Sequence, residues 1–549
     1  MSDLRFATRV VTWVRACIVV MASILCGIPG LQACCGDEKV SDFALSLRYR
    51  VPVAEQSPLF HTLKRAEQWP AAKTAVVVCD VWDSHHCLNA VRRVQEMAPR
   101  MNEFLQEARR RGALIIHAPS DCMQAYEGHP ARRRAQEAPR AANLPEGIGQ
   151  WCHQIPAEEQ GVYPIDQTDG GEDDDPQEHA KWRAQLQAEG RNPDAPWKKQ
   201  VDVLQISDED AISDQGEEVW NLLEQRGIQH VIVLGVHTNM CVLGRPFGLR
   251  QLSKNGKHVV LVRDLTDTMY NPQRAPFVQH FSGTDLIVEH IEKYVCPTIT
   301  SDQLLGGQPF RFSKDLRKHV AFVISEDEYK TEQTLTQFAR EQLQRDFRIS
   351  LFYGDAHDIH LLPGIEQLAD ADVALISVRR RVLPTEQLDV FRKFIADGKP
   401  VVGIRTASHA FSLRDGEPPA GHAVWPEFDR DVLGGNYQGH HDNQPGVGPP
   451  TRVWVLPEAR EEAVLKGLPE GEWSVVSTLY LTQPLGPRAK PLMMGRVENR
   501  LPHEPVTWTN THVGGGRVFY TSLGHPADFE LPAFRQLLLN GIRWAVESE

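Results

Sequence analysis

The sequence predicts an α/β protein of two three-layer domains, each built on a mainly parallel sheet. Three observations carry this. Short runs rich in valine and isoleucine recur along the chain, as buried parallel strands do. Amphipathic segments with helical spacing separate them. The 549 residues also exceed one ordinary core, at roughly 100–200 residues per domain.

The first strand is residues 73–80 (KTAVVVCD). Val91, Val94, Met97, Ala98, Met101, Phe104, Leu105 and Ala108 then recur at helical spacing, and Gly112 supplies a stop. Residues 113–117 give the next strand. A long, polar, irregular stretch follows from about 119 to 199, and a loop of that length is functional or flexible. Its Asp166, Asp169, Glu172, Asp173, Asp174 and Asp175 read either as a solvated acidic loop or as a calcium site, with no standard calcium-loop spacing.

The pattern resumes with a strand at 201–206, a helix at 217–225, a strand at 230–236 and a helix opening near Cys241. Another strand lies at 258–262, and residues 297–300 close the domain. The second series has strands at 319–325, 349–353, 372–377 and 400–404, with helices near 332–345 and 386–396; its tail carries the segment 516–521 and a final helix near 531–547. The resulting division is an export signal (1–33), an N-terminal extension (34–70), a first domain (71–307), a linker (308–318) and a second domain (319–549).

The export reading rests on Arg5, Arg9 and Arg15 preceding an apolar run that Gly27, Pro29 and Gly30 interrupt. Cleavage, lipid attachment at Cys34 and an uncleaved anchor are its three outcomes, all placing the protein in the periplasm or outside the cell. With 59 basic and 72 acidic residues the net charge is −13, which argues against nucleic acid as a partner. None of the ten cysteines forms a CxxC pair or zinc-finger spacing, and none lies beyond Cys296. Oligomeric state is left open.

Gly235-Val236-His237-Thr238-Asn239-Met240-Cys241-Val242 follows an apolar strand and opens a helix. A thiol at a helix N-terminus is placed to act as a nucleophile, and unpaired backbone N–H groups there can hold an oxyanion. Gly235, Thr238, Cys241 and Val242 match the motif of the isochorismatase-like cysteine hydrolases, which this segment resembles over about residues 73–305. The resemblance implies a small-molecule hydrolase acting on a carbon–nitrogen (amide) or related bond. It makes Cys241 the nucleophile, Asp80 the proton-transfer partner at the end of the first strand, and His237 the residue of the oxyanion turn, after a cis peptide.

The family's lysine, expected after the strand at 201–206, is not found. Lys199 is the nearest replacement, and a protonated His237 is an alternative source of positive charge. No cofactor is required by this reading. Relatives that bind a divalent metal imply a zinc site here at Asp121, His85 and His129, with the aspartate-x-histidine pattern missing. The absent lysine also keeps open a decayed hydrolase that only binds small molecules or carbohydrate, and a purely structural protein.

The second domain resembles the ThuA-like (trehalose-utilisation) domains, relatives of the class I glutamine amidotransferase and flavodoxin-like folds. The segments around Gly434-Gly435, Pro505-Val506-Thr507-Trp508 and Gly516-Arg517-Val518-Phe519-Tyr520-Thr521 carry it. Where amidotransferases place a cysteine, Gly403-Ile404-Arg405-Thr406 stands, and with no cysteine in this domain glutaminase chemistry is excluded. Arg405, His409, His440 and His525 are the candidates for a carbohydrate or anion site.

Overall fold

The computed structural model describes residues 42–547. The export signal and Cys34 lie outside the described residues. Among the described residues, no helix is long and apolar enough to cross a membrane.

The first sheet contains β1 (Phe43–Pro52), β2 (Phe60–Trp69), β3 (Thr74–Cys79), β4 (Leu114–Ala118), β5 (Ala211–Ile212), β6 (His230–Val236), β7 (His258–Asp267) and β8 (Thr298–Ile299). Their order is β2-β1-β8-β7-β6-β3-β4-β5. The six strands from β8 to β5 are parallel, and β1 runs antiparallel to both β8 and β2. Much of the stretch read as an N-terminal extension is therefore a hairpin on the sheet edge. Phe43, Leu45 and Leu47 alternate into the core, as a half-buried strand requires.

Helices sandwich this sheet. α1 (Leu88–Arg110) packs on one face. The other face carries α4 (Gly216–Gln225), α5 (Leu249–Lys254) and α6 (His280–Tyr294). α2 (Pro130–Gln136) and α3 (Pro176–Ala188) lie within the stretch read as irregular, and α7 (Asp302–Leu305) closes the domain.

The strand expected at 201–206 is absent. Leu204 N–H bonds Val201 O in a turn, and Val203 is exposed, so the residues do not alternate between core and solvent. The edge strand is the two-residue β5, which pairs with β4.

The second sheet contains β9 (His319–Ser325), β10 (Arg348–Tyr353), β11 (Val373–Val378), β13 (Val401–Ile404), β15 (Thr451–Val455), β16 (Trp473–Val475), β17 (Lys490–Val497), β18 (Glu504–Thr511) and β19 (Arg517–Thr521). β12 (Leu383–Pro384) and β14 (His422–Ala423) pair separately. The order is β10-β9-β11-β13-β19-β18-β17-β15-β16. The strands from β10 to β19 are parallel, and the rest are antiparallel, so this sheet is mixed rather than mainly parallel. α8 (Thr331–Phe338) and α10 (Pro532–Val546) cover one face and α9 (Thr385–Ala396) the other.

Candidate active site

β3 and β6 are neighbours, with Cys79 opposite Gly235, so the residues after each strand meet at the carboxyl edge of the sheet. Gly235 makes the meeting close. It adopts φ +121°, and a Cβ there would lie 2.1 Å from Cys79 O. Only glycine permits that approach. Asp80 follows β3 and the turn bearing Cys241 follows β6.

Asp80 is fully buried in a left-handed conformation (φ +49°). Its Oδ1 accepts from Ser120 N–H at 2.7 Å, and its Oδ2 accepts from Arg245 Nε at 3.0 Å. The Cys241 thiol is close enough to the same carboxylate for each to shift the other's protonation. Burial pushes Asp80 up from the ordinary carboxylate range, against the opposing pull of Arg245, Cys241 and Ser120. Burial and the neighbouring carboxylate push the Cys241 thiol well up, and Arg245 opposes them. The resting sulfur therefore holds its proton, in contact with a group able to take it.

Sequence reasoning missed Arg245. Its N–H bonds Cys241 O at 3.0 Å, which places it one helical turn beyond the cysteine. Its guanidinium also packs over the Trp151 ring at 5.3 Å and approaches Asp121 at 3.8 Å. The spacing of four after Cys241 was the available signal.

The other candidates fall elsewhere. Lys199 pairs with Asp202 at the surface, 2.6 Å away, while its backbone N–H bonds Asp83. It does not supply the missing cation. His237 is buried, and burial pulls it down to about 3, so it is neutral and supplies no charge either. The Val236–His237 peptide is cis. The His237 carbonyl accepts from Met240 and Val242 N–H, which takes those two donors away from an oxyanion.

The turn Thr238–Val242 is pinned from both sides. Thr238 Oγ1 donates to Asp267 O at 2.8 Å and meets Thr266 Oγ1 at 2.7 Å. Asn239 Nδ2 donates to Met269 O and Gln167 Oε1, and Asn239 Oδ1 accepts from Met269 N–H. Behind the turn lies a buried ionic network. Arg93 bridges Asp267 and Asp173, and His280 Nε2 meets Asp267 Oδ1 at 2.8 Å. The acidic stretch is thus not simply solvated. Asp173 enters this network, Asp174 accepts from Leu88 and Asn89 N–H at the start of α1, and Asp175 caps α3.

The predicted metal ligands do not gather. Asp121 faces Arg245, His129 Nδ1 accepts from Ala131 N–H as the cap of α2, and His85 Nδ1 accepts from Cys87 N–H. Among the described residues, the groups with three ligand atoms within 4.8 Å are Cys87, Asp173, Asp174 and Glu172, Asp174, His179. Neither includes Asp121, His85 or His129, so these residues do not fit a zinc ion. The carboxylates of the acidic stretch already serve Arg93, His280, His179 and helix ends.

Cys241 sits under the insertion. It belongs to an apolar cluster with Trp82, Cys122 and Ile165, and Tyr163 and Trp197 pack against that cluster. Trp82 and Trp197 stack with ring centres 4.4 Å apart. In the second domain, Arg405 and His409 are buried together near Tyr329, Tyr437 and Tyr480, and His525 edges onto Tyr329. The backbone of His440 pairs with Tyr480, but its side chain does not enter the group. Its ring is exposed and bonds the His441 carbonyl.

The isochorismatase-domain family model matches residues 74–284, and the trehalose-utilisation (ThuA) family model matches residues 317–545. A ThuA-like protein from Parabacteroides merdae is similar at 19 % identity and TM-score 0.31, over 42 % of this chain and 90 % of its own. A cysteine hydrolase from Pseudomonas syringae pv. phaseolicola is similar at 15 % identity and TM-score 0.26, over 43 % of this chain and 93 % of its own. An isochorismatase family protein from Burkholderia thailandensis is similar at 14 % identity and TM-score 0.24, over 42 % and 93 % respectively. No curated protein matches.

Proposed function

We propose that this chain, whose residues 74–284 are an isochorismatase domain of the cysteine-hydrolase family and whose residues 317–545 are a ThuA domain, hydrolyses a carbon–nitrogen (amide) or related bond of a small molecule. The observation that carries this reading is the buried Asp80 carboxylate held between Arg245 and the Cys241 thiol. A nucleophile, a proton acceptor and a fixed positive charge meet at one point.

In this reading Cys241 Sγ attacks the carbonyl carbon as its proton passes to Asp80. The Cys241 N–H stabilises the oxyanion, since its neighbours Met240 and Val242 donate to His237 O. The carbon–nitrogen bond then breaks, and Asp80 returns the proton to the departing amine. Water adds to the thioester, with Asp80 as base, and releases the acid and the thiol. Arg245 compensates the carboxylate's charge while it alternates between its two forms. No step requires a metal.

The N-terminal sequence supports an exported setting, with the signal cleaved, lipidated at Cys34 or kept as an uncleaved anchor. The mass of the mature protein tests that point.

Thiol labelling tests the chemistry. Iodoacetamide should modify Cys241 in the folded protein, with a rate that rises with pH and collapses in Asp80→Asn. Release of amine from a panel of small amides should stop in Cys241→Ala. A Cys241 that labels only after unfolding would sink the hydrolase and leave a binding protein.

A further inference from the structure

We infer that the second domain carries its own binding site for a ring-bearing organic anion, at the carboxyl ends of β9, β11 and β13. The topology puts it there. β9 lies between β10 and β11, so the chain leaves β9 toward one side and returns on the other. In open parallel sheets such a reversal leaves a crevice beyond the strand ends. Tyr329 follows β9, Arg380 follows β11, and Arg405 and His409 follow β13.

Two arginines at this edge hold left-handed backbone conformations, Arg380 at φ +48° and Arg405 at φ +43°. Non-glycine residues adopt this region at a cost, and they keep it where surrounding structure imposes it. Arg405 is 2 % exposed. Nη1 donates to Ser522 O, and Nη2 donates to Tyr329 Oη and Thr478 Oγ1. Its charge lies 4.1 Å from the Tyr329 ring centre and 4.7 Å from that of Tyr480. Among the described residues no carboxylate pairs with it, and its buried Nε has no hydrogen-bond partner. A buried, unpaired cation is expensive to keep.

The nearby acids are engaged with other groups. Asp327 and Glu328 pair with Arg379. Glu326 accepts from the N–H groups of Glu328, Tyr329 and Thr331. Asp528 accepts from Val476 N–H, Ser477 Oγ and Gly524 N–H. Among the described residues the Arg380 guanidinium has one hydrogen-bond contact, with Ser412 Oγ at 3.5 Å. His409 is held neutral, down to about 3, by burial and by Arg380, Arg379 and Arg405, so it adds no charge of its own.

What remains is a positive floor and rim beside a cluster of aromatic rings, stacked at His409 and Tyr437 and tilted at Tyr480. His409 stacks on Tyr437 at 4.5 Å, and Tyr437 meets Tyr480 at 4.7 Å. Arginine recognises a carboxylate or a phosphate through its planar donors, and the rings offer a face to a sugar or unsaturated ring. The occupant is therefore a small organic anion with a ring, whether the anion is a carboxylate or a phosphate ester.

Calorimetric titration of the full chain with glucuronate, glucose 6-phosphate, glucose and inorganic phosphate tests this. One of the two ring anions should bind at least about tenfold more tightly than glucose and than inorganic phosphate. Which one binds distinguishes the carboxylate from the phosphate. Arg380→Asn, which tolerates the left-handed backbone, should weaken it about tenfold or more, as should Tyr437→Ala. Arg452→Ala, on the distant β15, should leave it unchanged. Failure of both ring anions to bind, equal binding of inorganic phosphate, or indifference to both site variants would overturn the proposal. Cys241→Ala should not alter this binding, so its outcome is separate from that of the hydrolase reading.

Discussion

Arg245 donates from Nε to Asp80 Oδ2 at 3.0 Å, across 165 residues of sequence and one helical turn beyond Cys241. This contact supplies the positive charge that the lysine-based reading lacked. It places that charge on the element bearing the nucleophile rather than on the edge of the sheet.

Removing Arg245 should therefore do two things. Arg245→Ala leaves the buried Asp80 without its counter-charge, which costs about 3–5 kcal/mol for a buried pair broken on one side. It also withdraws the group that opposes the rise of the thiol. We expect turnover to fall about 10²–10³-fold. Arg245→Lys should recover part of the stability and little of the turnover, because an ammonium does not reproduce the fixed guanidinium geometry. Urea unfolding and amide turnover of both variants measure the two effects. Unchanged turnover in Arg245→Ala would remove Arg245 from the mechanism.

The backbone at Gly235 should be equally intolerant. An added Cβ would sit 2.1 Å from Cys79 O, and φ +121° disfavours any L side chain. Gly235→Ala should destabilise the chain by at least about 2 kcal/mol and separate β3 from β6 at the strand ends. Labelling of Cys241 should slow with it. A shifted unfolding midpoint with unchanged labelling would show that strand contact does not position the thiol.

Some of this was legible in sequence and some was not. The strand–turn–helix around Cys241 and the aspartate ending β3 were readable because each is local. The alternation of Phe43, Leu45 and Leu47 was also present, but Arg48 and Arg50 follow at once and mask the strand. Arg93 reaches Asp173 and Asp267 across 80 and 174 residues, so no window could show that the acidic stretch had buried partners. The run at 201–206 misled because valine spacing resembled a strand, while the loop it forms is fixed by Asp210 accepting from Arg109, His117 and Ser207.

The stacked Trp82 and Trp197 cover the apolar cluster that contains Cys241. Trp197→Ala opens that cover without touching Asp80 or Arg245. Labelling of Cys241 by a bulky disulfide reagent should rise several-fold, while labelling by small iodoacetamide should change less. Equal acceleration of both reagents would mean that the variant loosened the whole domain, and no acceleration would mean that the thiol is reached from another side.

The last prediction concerns pH. Burial and Arg93 disfavour charge on His280, but Asp267 and Asp173 outweigh them and raise it above its ordinary value. Burial likewise works against charge on Asp267 and Asp173, but Arg93 and His280 hold both well below the usual carboxylate range. The two kinds of shift act at opposite ends. His280 contributes stability that is complete below about pH 6.5 and disappears as pH rises through its raised folded value. The carboxylates contribute stability that is complete above about pH 4 and disappears as pH falls through their lowered values. His280→Gln should therefore cost most between about pH 5 and 6 and progressively less toward pH 9. Urea unfolding of both proteins across that range gives the difference directly. A penalty that is flat, or that grows toward pH 9, would mean that His280 is neutral in the folded state and that Arg93 alone compensates the two aspartates.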